Sequence, residues 1–449
     1  MKRIFYLMII LGCLSCEDDE SFTVSQGLRL DFPADTLMID TVFSRTPSST
    51  YSFWVHNRND DGILISTVKL RRGNQSGYRV NVDGVYLDNA NGSQASDVEI
   101  RRNDSILVFV ELTAAETRQS EPTLVEDDLQ FFLESGVAQK VCLQAWAWDA
   151  QKLYSPEIKA DTVIESEIPV VIYGDMVVDE GVTLTIKNTT LYFHDSAGLD
   201  VYGTLKTEGC TMRGDRLDRM FSYLPYDRVS GQWNGVYLYG SSTDNELIRT
   251  EIRNANYGIV CDSAALDENR YRLSMAQCVV HNCVGVGVEA INANVWLDHC
   301  QLTNMGGDCL AIVGGIAKVD YCTIAQFYPF SADRGAALRF ANYRGKADLP
   351  LYQLSCIGSI LTGYAEDVVM GESRQEGEAD FAYSFADCLL RTPKVETADS
   401  LYFANIIWET PKDSVQGRQH FVAIDEDLLL YNFHLDSLST AKGLGCYDL

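Results

Sequence analysis

A repeat of 22 residues constrains this chain more than any other feature. Three consecutive segments align with this period without a gap. Their shared positions hold Met275, Leu297 and Val319, then Cys278, Cys300 and Cys322, then Val280, Leu302 and Ile324. A period of this length, with three short strands per repeat, is typical of a solenoid in which each coil packs on the next. The leucine-rich repeat has a similar length, but its LxxLxLxxN frame is absent.

The repeat continues outward from these segments, interrupted by insertions. Cys210 and Thr250 fall at the cysteine position upstream, and Ser359, Cys388 and Asn405 fall there downstream. Stacked coils lie about 4.8 Å apart, so this column predicts small side chains packed where the wall turns. A buried free cysteine behaves as a small hydrophobic residue, and we therefore expect these cysteines to be reduced.

The side chains next to the inward positions must face outward, because successive residues of a strand alternate between its two sides. Trp296 and Lys318 then share one outward column. Asp298 and Asp320 share the next, about 5 Å apart on neighbouring coils. The residues predicted at the turn are Gln277, His299 and Tyr321.

The first third of the chain has a different pattern, in which β-branched and aromatic runs alternate with polar turns. The predicted strands are 28–32, 36–42, 51–56, 63–70, 78–82, 105–112, 129–132 and 138–146. This density of short strands, without a helical period, favours an antiparallel β-sandwich. Trp146 and Trp148 share a sheet face, and we expect them in the core.

The first twenty residues indicate the compartment. Two basic residues precede an apolar run at 4–14, which is too short to cross a bilayer as a helix. Cys16 follows the small residue Ser15 and precedes four acidic residues. This boundary resembles the bacterial lipobox, and the acidic run resembles the signal that exports some lipoproteins to the surface of Gram-negative bacteria. The resemblance implies a signal peptide at 1–16, an acidic tether at 17–25 and a lipid anchor in the outer membrane, with the protein exposed at the cell surface.

The net charge of -27 limits the partners. Such a surface repels nucleic acid and anionic lipid headgroups, so no nucleic-acid partner is expected. An acidic polysaccharide requires a local basic patch or a divalent cation such as Ca²⁺. Among the eleven cysteines that follow Cys16 there is no CxxC and no Cys/His cluster with zinc spacing, so no zinc site is predicted.

Several segments resemble the pectate-lyase-like superfamily of right-handed parallel β-helices. VTLTI, TLYFH and GLDVYG resemble its opening coils, and FHLDSLSTAKGLG resembles a common C-terminal end. The column of Asn282, Asn304 and Gln326 resembles the ladder of stacked amides at the turns of such helices. The superfamily includes lyases, hydrolases and binding proteins, so the resemblance does not fix an activity.

The segments DTLMIDTVFS, GYRVNVDG, DSILVFVEL and CLQAWAWDA resemble an immunoglobulin-like domain found ahead of β-helices in bacterial lipoproteins. The implied fold class is all-β. An immunoglobulin-like β-sandwich at 26–155 is followed by a right-handed parallel β-helix solenoid at 160–449, with about 22 residues per coil.

Two carboxylates and a lysine on the outward columns are the candidate catalytic residues. Asp298 and Asp320 match a glycosidase pair, in which one carboxyl acts as the acid, or part of a Ca²⁺ site. Lys318 matches the base of a lyase, or it balances Asp320 on a solvated wall. Trp296 offers a ring on which a sugar can stack.

The segment GGDCLAIVGG at 306–315 is similar to the GDDCIAI-type motif of polygalacturonases. That motif has an aspartate pair, whereas here Gly307 precedes the single Asp308. The GHG and RIK segments of that family are also missing. We therefore interpret the similarity as a product of the repeat and do not predict a polygalacturonase mechanism.

Two insertions, at 213–233 and 329–350, combine arginines with aromatic residues. In an acidic protein such loops are the best candidates for binding a partner, although loops of this length also brace a solenoid. The binding candidates are Arg216, Tyr223, Tyr226, Trp233, Arg334 and Arg344.

Three functions remain open on the sequence. The first is a non-enzymatic, lipid-anchored envelope protein that binds glycan or protein at the cell surface. The second is a polysaccharide lyase or glycoside hydrolase acting on the β-helix wall. The third is a structural or assembly component of the envelope. The presence of acid and base residues would distinguish an enzyme from a binding or structural protein. Lys318 with Asp298 and Asp320 is the only match to a lyase site that the repeat supplies.

Cys16→Ala should abolish lipid attachment, because the lipobox-like boundary assigns the acyl chains to this residue. Fatty-acid labelling and membrane fractionation measure the effect. Cys13→Ala is the matched control and should leave attachment intact. Loss of attachment in Cys13→Ala alone would assign the lipid to Cys13.

Overall fold

The computed structural model describes residues 21–374, 379–409 and 417–447. The chain divides into two compact units, one ending at Asp149 and the other beginning at Ala150. In the described residues the regular structure is β-strand, with only short 3-10 helices. No helix in those ranges is long and apolar enough to cross a membrane. Cys16 and the predicted signal peptide lie outside them.

The first unit is a sandwich of two sheets. The strands of the larger sheet, in spatial order, are Thr36–Phe43, Ala138–Trp148, Thr123–Leu133, Ile63–Leu70 and Gln94–Ile100. Those of the smaller sheet are Tyr51–His56, Ser105–Leu112, Tyr78–Val82 and Val85–Tyr86. Alternate residues of both sheets, such as Val55, Val108 and Leu143, meet in one buried core.

Three details of the sandwich differ from the prediction. Thr36–Phe43 pairs in parallel with Ala138–Trp148, so the sandwich is not purely antiparallel. Gln94–Ile100 is an additional edge strand, and its polar sequence and the left-handed Asp97 (φ 55°) hide it from the hydrophobic pattern. The segment 28–32 contributes only an isolated bridge.

Trp146 and Trp148 do alternate onto one side of their strand, but the predicted core position is wrong. Leu143, Ala145 and Ala147 fill the inward column. Trp146 therefore points outward and is 42% exposed.

The second unit is a parallel β-helix in which each full coil contributes a strand to three faces, here named A, B and C. Face A consists of Glu157–Ile158, Met176–Val178, Gly198–Val201, Gly235–Leu238, Ile259–Cys261, Leu338–Ala341 and Val369–Glu372. Face B consists of Thr162–Glu165, Thr183–Lys187, Thr204–Glu208, Asn245–Ile248, Leu273–Ala276, Leu351–Ile357, Phe381–Ala386 and Phe403–Ala404. Val288–Asp298 and Leu310–Asp320 run through both of these faces.

Face C consists of Gln151–Tyr154, Val170–Tyr173, Thr190–His194, Thr211–Gly214, Glu251–Arg253, Val279–Cys283, Gln301–Met305, Thr323–Gln326, Ile360–Gly363, Leu389–Leu390 and Ile407–Trp408. The expected boundary assigned Gln151–Tyr154 to the sandwich. This strand instead pairs with Val170–Tyr173 and belongs to the helix.

The 22-residue register is the one that the sequence predicts. Met275 pairs with Leu297, and Leu297 pairs with Val319. All three are buried in the stack of mainly aliphatic side chains that fills the solenoid. Burying a side chain of this size contributes about 1.5–3 kcal/mol, so the stack holds neighbouring coils in register.

A two-residue turn joins face B to face C. Its first residue has a left-handed φ of 46 to 64° in nine coils, at Asn188, Gly209, Arg249, Gln277, His299, Tyr321, Gly358, Asp387 and Asn405. The buried second residues are Thr189, Cys210, Thr250, Cys278, Cys300, Cys322, Ser359 and Cys388. Asn405 was predicted at the second position of this turn, in the column of Cys278 and Cys300. The pairing of Ala386 with Ala404 places it instead at the first position.

The predicted amide ladder does not form as expected. Asn282 donates to Asn254 of the preceding coil at 2.8 Å, not to Asn304. Gln326 accepts from the backbone N–H of Met305. The side-chain amide of Asn304 has no hydrogen-bond partner within the described residues.

A C-terminal hairpin, Phe421–Asp425 with Leu430–Leu435, covers part of the outer side of face C. Its Phe421 and Phe433 form a small core with outward residues of that face. These residues are Ala325, Ile360 and Leu389.

Thiol reactivity tests the packing of the turn. With Cys13 and Cys16 replaced by serine, the native protein should react at Cys142 and Cys446, because the other nine described cysteines are buried and free. Burial also raises the pKa of thiols, to about 12 for Cys283 and about 11 for Cys446. This suppresses the reactive thiolate, so Cys446 should react more slowly than Cys142. Mass spectrometry before and after unfolding counts the modified sites. A disulfide between Cys278 and Cys300 would contradict this arrangement.

Candidate functional site

The structure places the four predicted wall residues side by side on the outer side of face B. Trp296 pairs with Lys318, and Asp298 pairs with Asp320. All four are half-buried. Trp296 donates its indole N–H to Asp320 Oδ2 at 2.9 Å.

The other two members also have partners within the chain. Asp298 Oδ1 lies 2.8 Å from His299 Nδ1, and Lys318 donates to the Tyr271 hydroxyl at 3.3 Å. These contacts brace the outer wall. Ca²⁺ takes six to eight oxygen ligands, whereas the described part of the chain brings no three His, Cys, Asp or Glu side chains together for a metal ion.

Trp233 is the predicted binding residue that the structure contradicts. It is fully buried in the core of the helix, stacked on Phe193 at 4.3 Å. Its indole N–H donates to the carbonyl of Arg253. A side chain without exposed surface cannot contact a ligand, so the end of this insertion returns to the core.

Apart from the buried Arg213 and Asp218, much of the rest of the first insertion is at the surface. Arg216 pairs with Asp218 at 2.7 Å and lies over the ring of Tyr226 at 4.0 Å. Tyr223 is 75% exposed and stacks on Phe221 at 5.6 Å. Arg216 and Tyr226 therefore brace the insertion, and Tyr223 remains available at its tip.

The second insertion contributes two arginines with different roles. Arg334 lies over the Tyr364 ring at 4.8 Å and donates to the carbonyl of Ser331. Arg344 is exposed on a short hairpin and lies 3.4 Å from Glu289 on face A. Arg344 thus reaches a wall that the sequence did not single out.

Asp308, the aspartate of the GGDCLAIVGG segment, is held by structural contacts. Its Oδ1 accepts from the N–H of Ala336, and its Oδ2 accepts from Arg339 Nε at 2.9 Å. Arg339 also pairs with Glu372. Asp308 therefore braces successive coils.

A cluster of acidic and aromatic side chains lies on the outer side of face A. We name it the tyrosine wall and define it as Asp175, Asp200, Tyr202, Tyr237, Tyr239, Tyr257, Asp262 and Glu289. The strands of face A hold it in place, because Asp200 pairs with Tyr237, and Tyr237 with Val260. Val260 in turn pairs with Glu289.

The tyrosine rings pack on one another across coils. Tyr202 and Tyr239 stack at 4.0 Å with an interplanar angle of 10°, and Tyr237 lies 4.5 Å from Tyr239. Asp200 lies beside Tyr237 in the strand register, and the negative charges of Asp200 and Asp262 act on Tyr239 and Tyr237. Carboxylates thus lie close to the rings, and Tyr202 remains 37% exposed.

The environment of the tyrosine wall raises the pKa of two of its carboxyl groups. Burial, followed by the negative charge of Asp175, raises the pKa of Asp200. Burial also raises the pKa of Glu289, against the opposing effect of Arg344. Such perturbed groups on a surface are characteristic of functional sites.

Sequence reasoning missed this wall. Its local signal is VYLYG, in which Tyr237 and Tyr239 are two residues apart and emerge on the same side of the chain. Nothing in the pattern shows that Asp200 lies beside Tyr237, because an insertion separates their coils.

No protein-family model matches this chain, and no curated protein matches it. Among solved structures, the Agl-KA catalytic domain is similar over 80% of this chain and 75% of its own, with 11% identity and a TM-score of 0.31. The catalytic unit of the GH87 alpha-1,3-glucanase from Streptomyces thermodiastaticus is similar over 80% and 78%, with 9% identity and a TM-score of 0.31.

A family 123 glycoside hydrolase from Clostridium perfringens is similar over 27% of this chain, with 6% identity and a TM-score of 0.18. This chain spans only about a quarter of that protein's length, 26%. At this degree of similarity the alignments carry no argument about the activity of this chain.

Asp200→Asn should change the pH dependence of stability. Because its folded pKa is raised, the contribution of Asp200 is fully present below pH 3.8 and is lost as the pH rises through the folded pKa. The variant should therefore melt above the wild type at pH 7, and this gain should vanish below pH 3.8. Asp175→Asn, which removes the like charge, should give part of the gain. Thermal unfolding across pH measures both, and an equal shift at all pH values would exclude the mechanism.

Proposed function

We propose that this protein binds glycan on the tyrosine wall of its β-helix. The observation that carries the proposal is the set of stacked tyrosine rings with carboxylates close to them on one face. The C–H face of a sugar packs on such rings, and carboxylate oxygens accept hydrogen bonds from its hydroxyls.

A neutral glycan suits this wall best. In the described residues its four carboxylates, Asp175, Asp200, Asp262 and Glu289, outnumber the cations close to them, which are Arg344 beside Glu289 and the buried Arg272, a donor to the backbone carbonyl of Asp262. An acidic polysaccharide would meet this excess of negative charge. A protein partner is disfavoured because the cores of protein interfaces are depleted of acidic residues, whereas this wall carries four carboxylates.

We also propose that the protein acts at the cell surface, anchored in the outer membrane through Cys16. The lipobox-like boundary and the acidic run after it support this placement. An anchored wall would hold a glycan at the envelope, whether for capture or for assembly.

Tyr202→Ala should weaken glycan binding by roughly three- to tenfold, the worth of one aromatic contact. A panel of neutral oligosaccharides and an oligogalacturonate, measured by calorimetry, tests the proposal. Tyr154→Ala is the matched control, because Tyr154 is also an exposed, stacked tyrosine but lies on face C, 5.0 Å from Tyr173. Unchanged binding in Tyr202→Ala, with loss in Asp298→Asn combined with Asp320→Asn, would move the site to face B.

Glycoside hydrolysis is the second candidate, favoured by the environment of Asp200. A carboxyl with a raised pKa beside a second carboxylate is the pattern of an acid with its partner, and Asp175 supplies the neighbouring charge. Reducing-end release, run beside the binding assay, separates the two functions. A hydrolase should lose turnover in Asp200→Asn while retaining affinity. Binding without product release by the wild type would exclude hydrolysis. An unsaturated-uronide assay tests the lyase alternative.

A further inference from the structure

A second polar site lies on face C, away from the strands of the tyrosine wall. A groove of about 510 Å³ opens there, within the size range of small-ligand sites. Its floor is the outer side of face C, one side is the insertion at Asp227 and Arg228, and the other is the C-terminal hairpin with Tyr447. We name it the hairpin groove.

Carboxylates and guanidinium groups alternate along the groove, with Arg213 buried behind Asp227. Asp227 Oδ1 lies 2.6 Å from Arg213 and 2.9 Å from Arg253. Arg253 also lies 3.5 Å from Glu251. Each sugar hydroxyl donates and accepts a hydrogen bond, so vicinal hydroxyls complement a row that alternates acceptors with donors.

The charges of the groove are already engaged within the chain. Two carboxylates oppose Arg213 and Arg253, and Arg228 donates to the carbonyl of Leu428 at 2.6 Å. Burial, with Arg253 nearby, lowers the pKa of His281 to about 4, so this histidine is uncharged at neutral pH. The three guanidinium groups exceed the two carboxylates by one charge, but each of them already contacts a carboxylate or a backbone carbonyl, which disfavours an acidic sugar.

An aromatic pair forms part of the groove lining. The rings of His434 and Tyr447 stack at 4.1 Å with an interplanar angle of 22°. The Tyr447 hydroxyl donates to Gln301 on face C at 2.6 Å, which fixes the pair against the floor. His434 is exposed and Tyr447 is 37% exposed.

We propose that the hairpin groove binds one neutral sugar residue, at the end of a glycan or on a branch of it. Asp227, Arg253 and Glu251 hydrogen-bond its vicinal hydroxyls, and the pair of His434 and Tyr447 packs against its ring. The site goes beyond the proposed function, because it lies on a different face and uses different residues.

Saturation-transfer NMR and calorimetry on the full chain test the groove, with the methyl glycosides of glucose, galactose and mannose and with galacturonic acid as probes. At least one neutral glycoside should bind, and His434→Ala and Glu251→Gln should each weaken it by about tenfold or more. The matched control is His194→Ala. His194 also stacks on a tyrosine of face C, Tyr173 at 4.8 Å, but does not line the groove, and its loss should leave the affinity unchanged.

Three results would overturn the proposal. One is the absence of binding by all three neutral glycosides, and another is preferential binding of galacturonic acid. The third is binding that is lost in Tyr202→Ala and retained in His434→Ala. That pattern would place the sugar on the tyrosine wall, so it contradicts the groove while supporting the proposed function.

Discussion

The left-handed residue at the turn between faces B and C is the constraint on which the β-helix depends. For a residue other than glycine this conformation costs roughly 1–2 kcal/mol, and Gln277, His299 and Tyr321 all adopt it. Their backbone N–H groups donate to the following coil at 2.8–2.9 Å, which offsets part of that cost. The turn also directs the next, small side chain into the core. Because the same turn recurs, the outward side chains of successive coils form straight rows. The outer wall of face B and the tyrosine wall of face A both consist of such rows.

The sequence predicts which side chains are neighbours on adjacent coils only where the 22-residue repeat is uninterrupted. Trp296 and Lys318 were placed side by side because their coils align without a gap. Tyr237, in contrast, follows its neighbour Asp200 by 37 residues, and no periodic pattern reveals a pairing across an insertion. Trp233 was misplaced for a related reason, since an aromatic residue at the end of an insertion looks like a surface residue although it re-enters the core. The hairpin groove depends on contacts between segments far apart in the chain, which hydrophobic periodicity does not encode.

The two candidate sites differ in their balance of carboxylates and arginines. The tyrosine wall gathers four carboxylates with little compensation, and burial raises the pKa of two of them, Asp200 and Glu289. The hairpin groove instead balances Asp227 and Glu251 against arginines. Neither surface concentrates the positive charge that a polyanion requires. The acidic composition, from which we expect no nucleic-acid partner, therefore also favours uncharged, hydroxyl-rich ligands at both proposed sites.

The two sites also differ in what holds them together. The tyrosine wall is built largely on consecutive strands of face A, so it exists wherever those coils are stacked. The hairpin groove needs the C-terminal hairpin, which is held through Phe421 and Phe433 on a small outer core separate from that of the solenoid. An element with fewer buried contacts opens at a lower free energy than the core beneath it. Local opening of the hairpin would remove one side of the groove and leave the tyrosine wall intact. The groove is therefore the site that can be lost without unfolding of the helix.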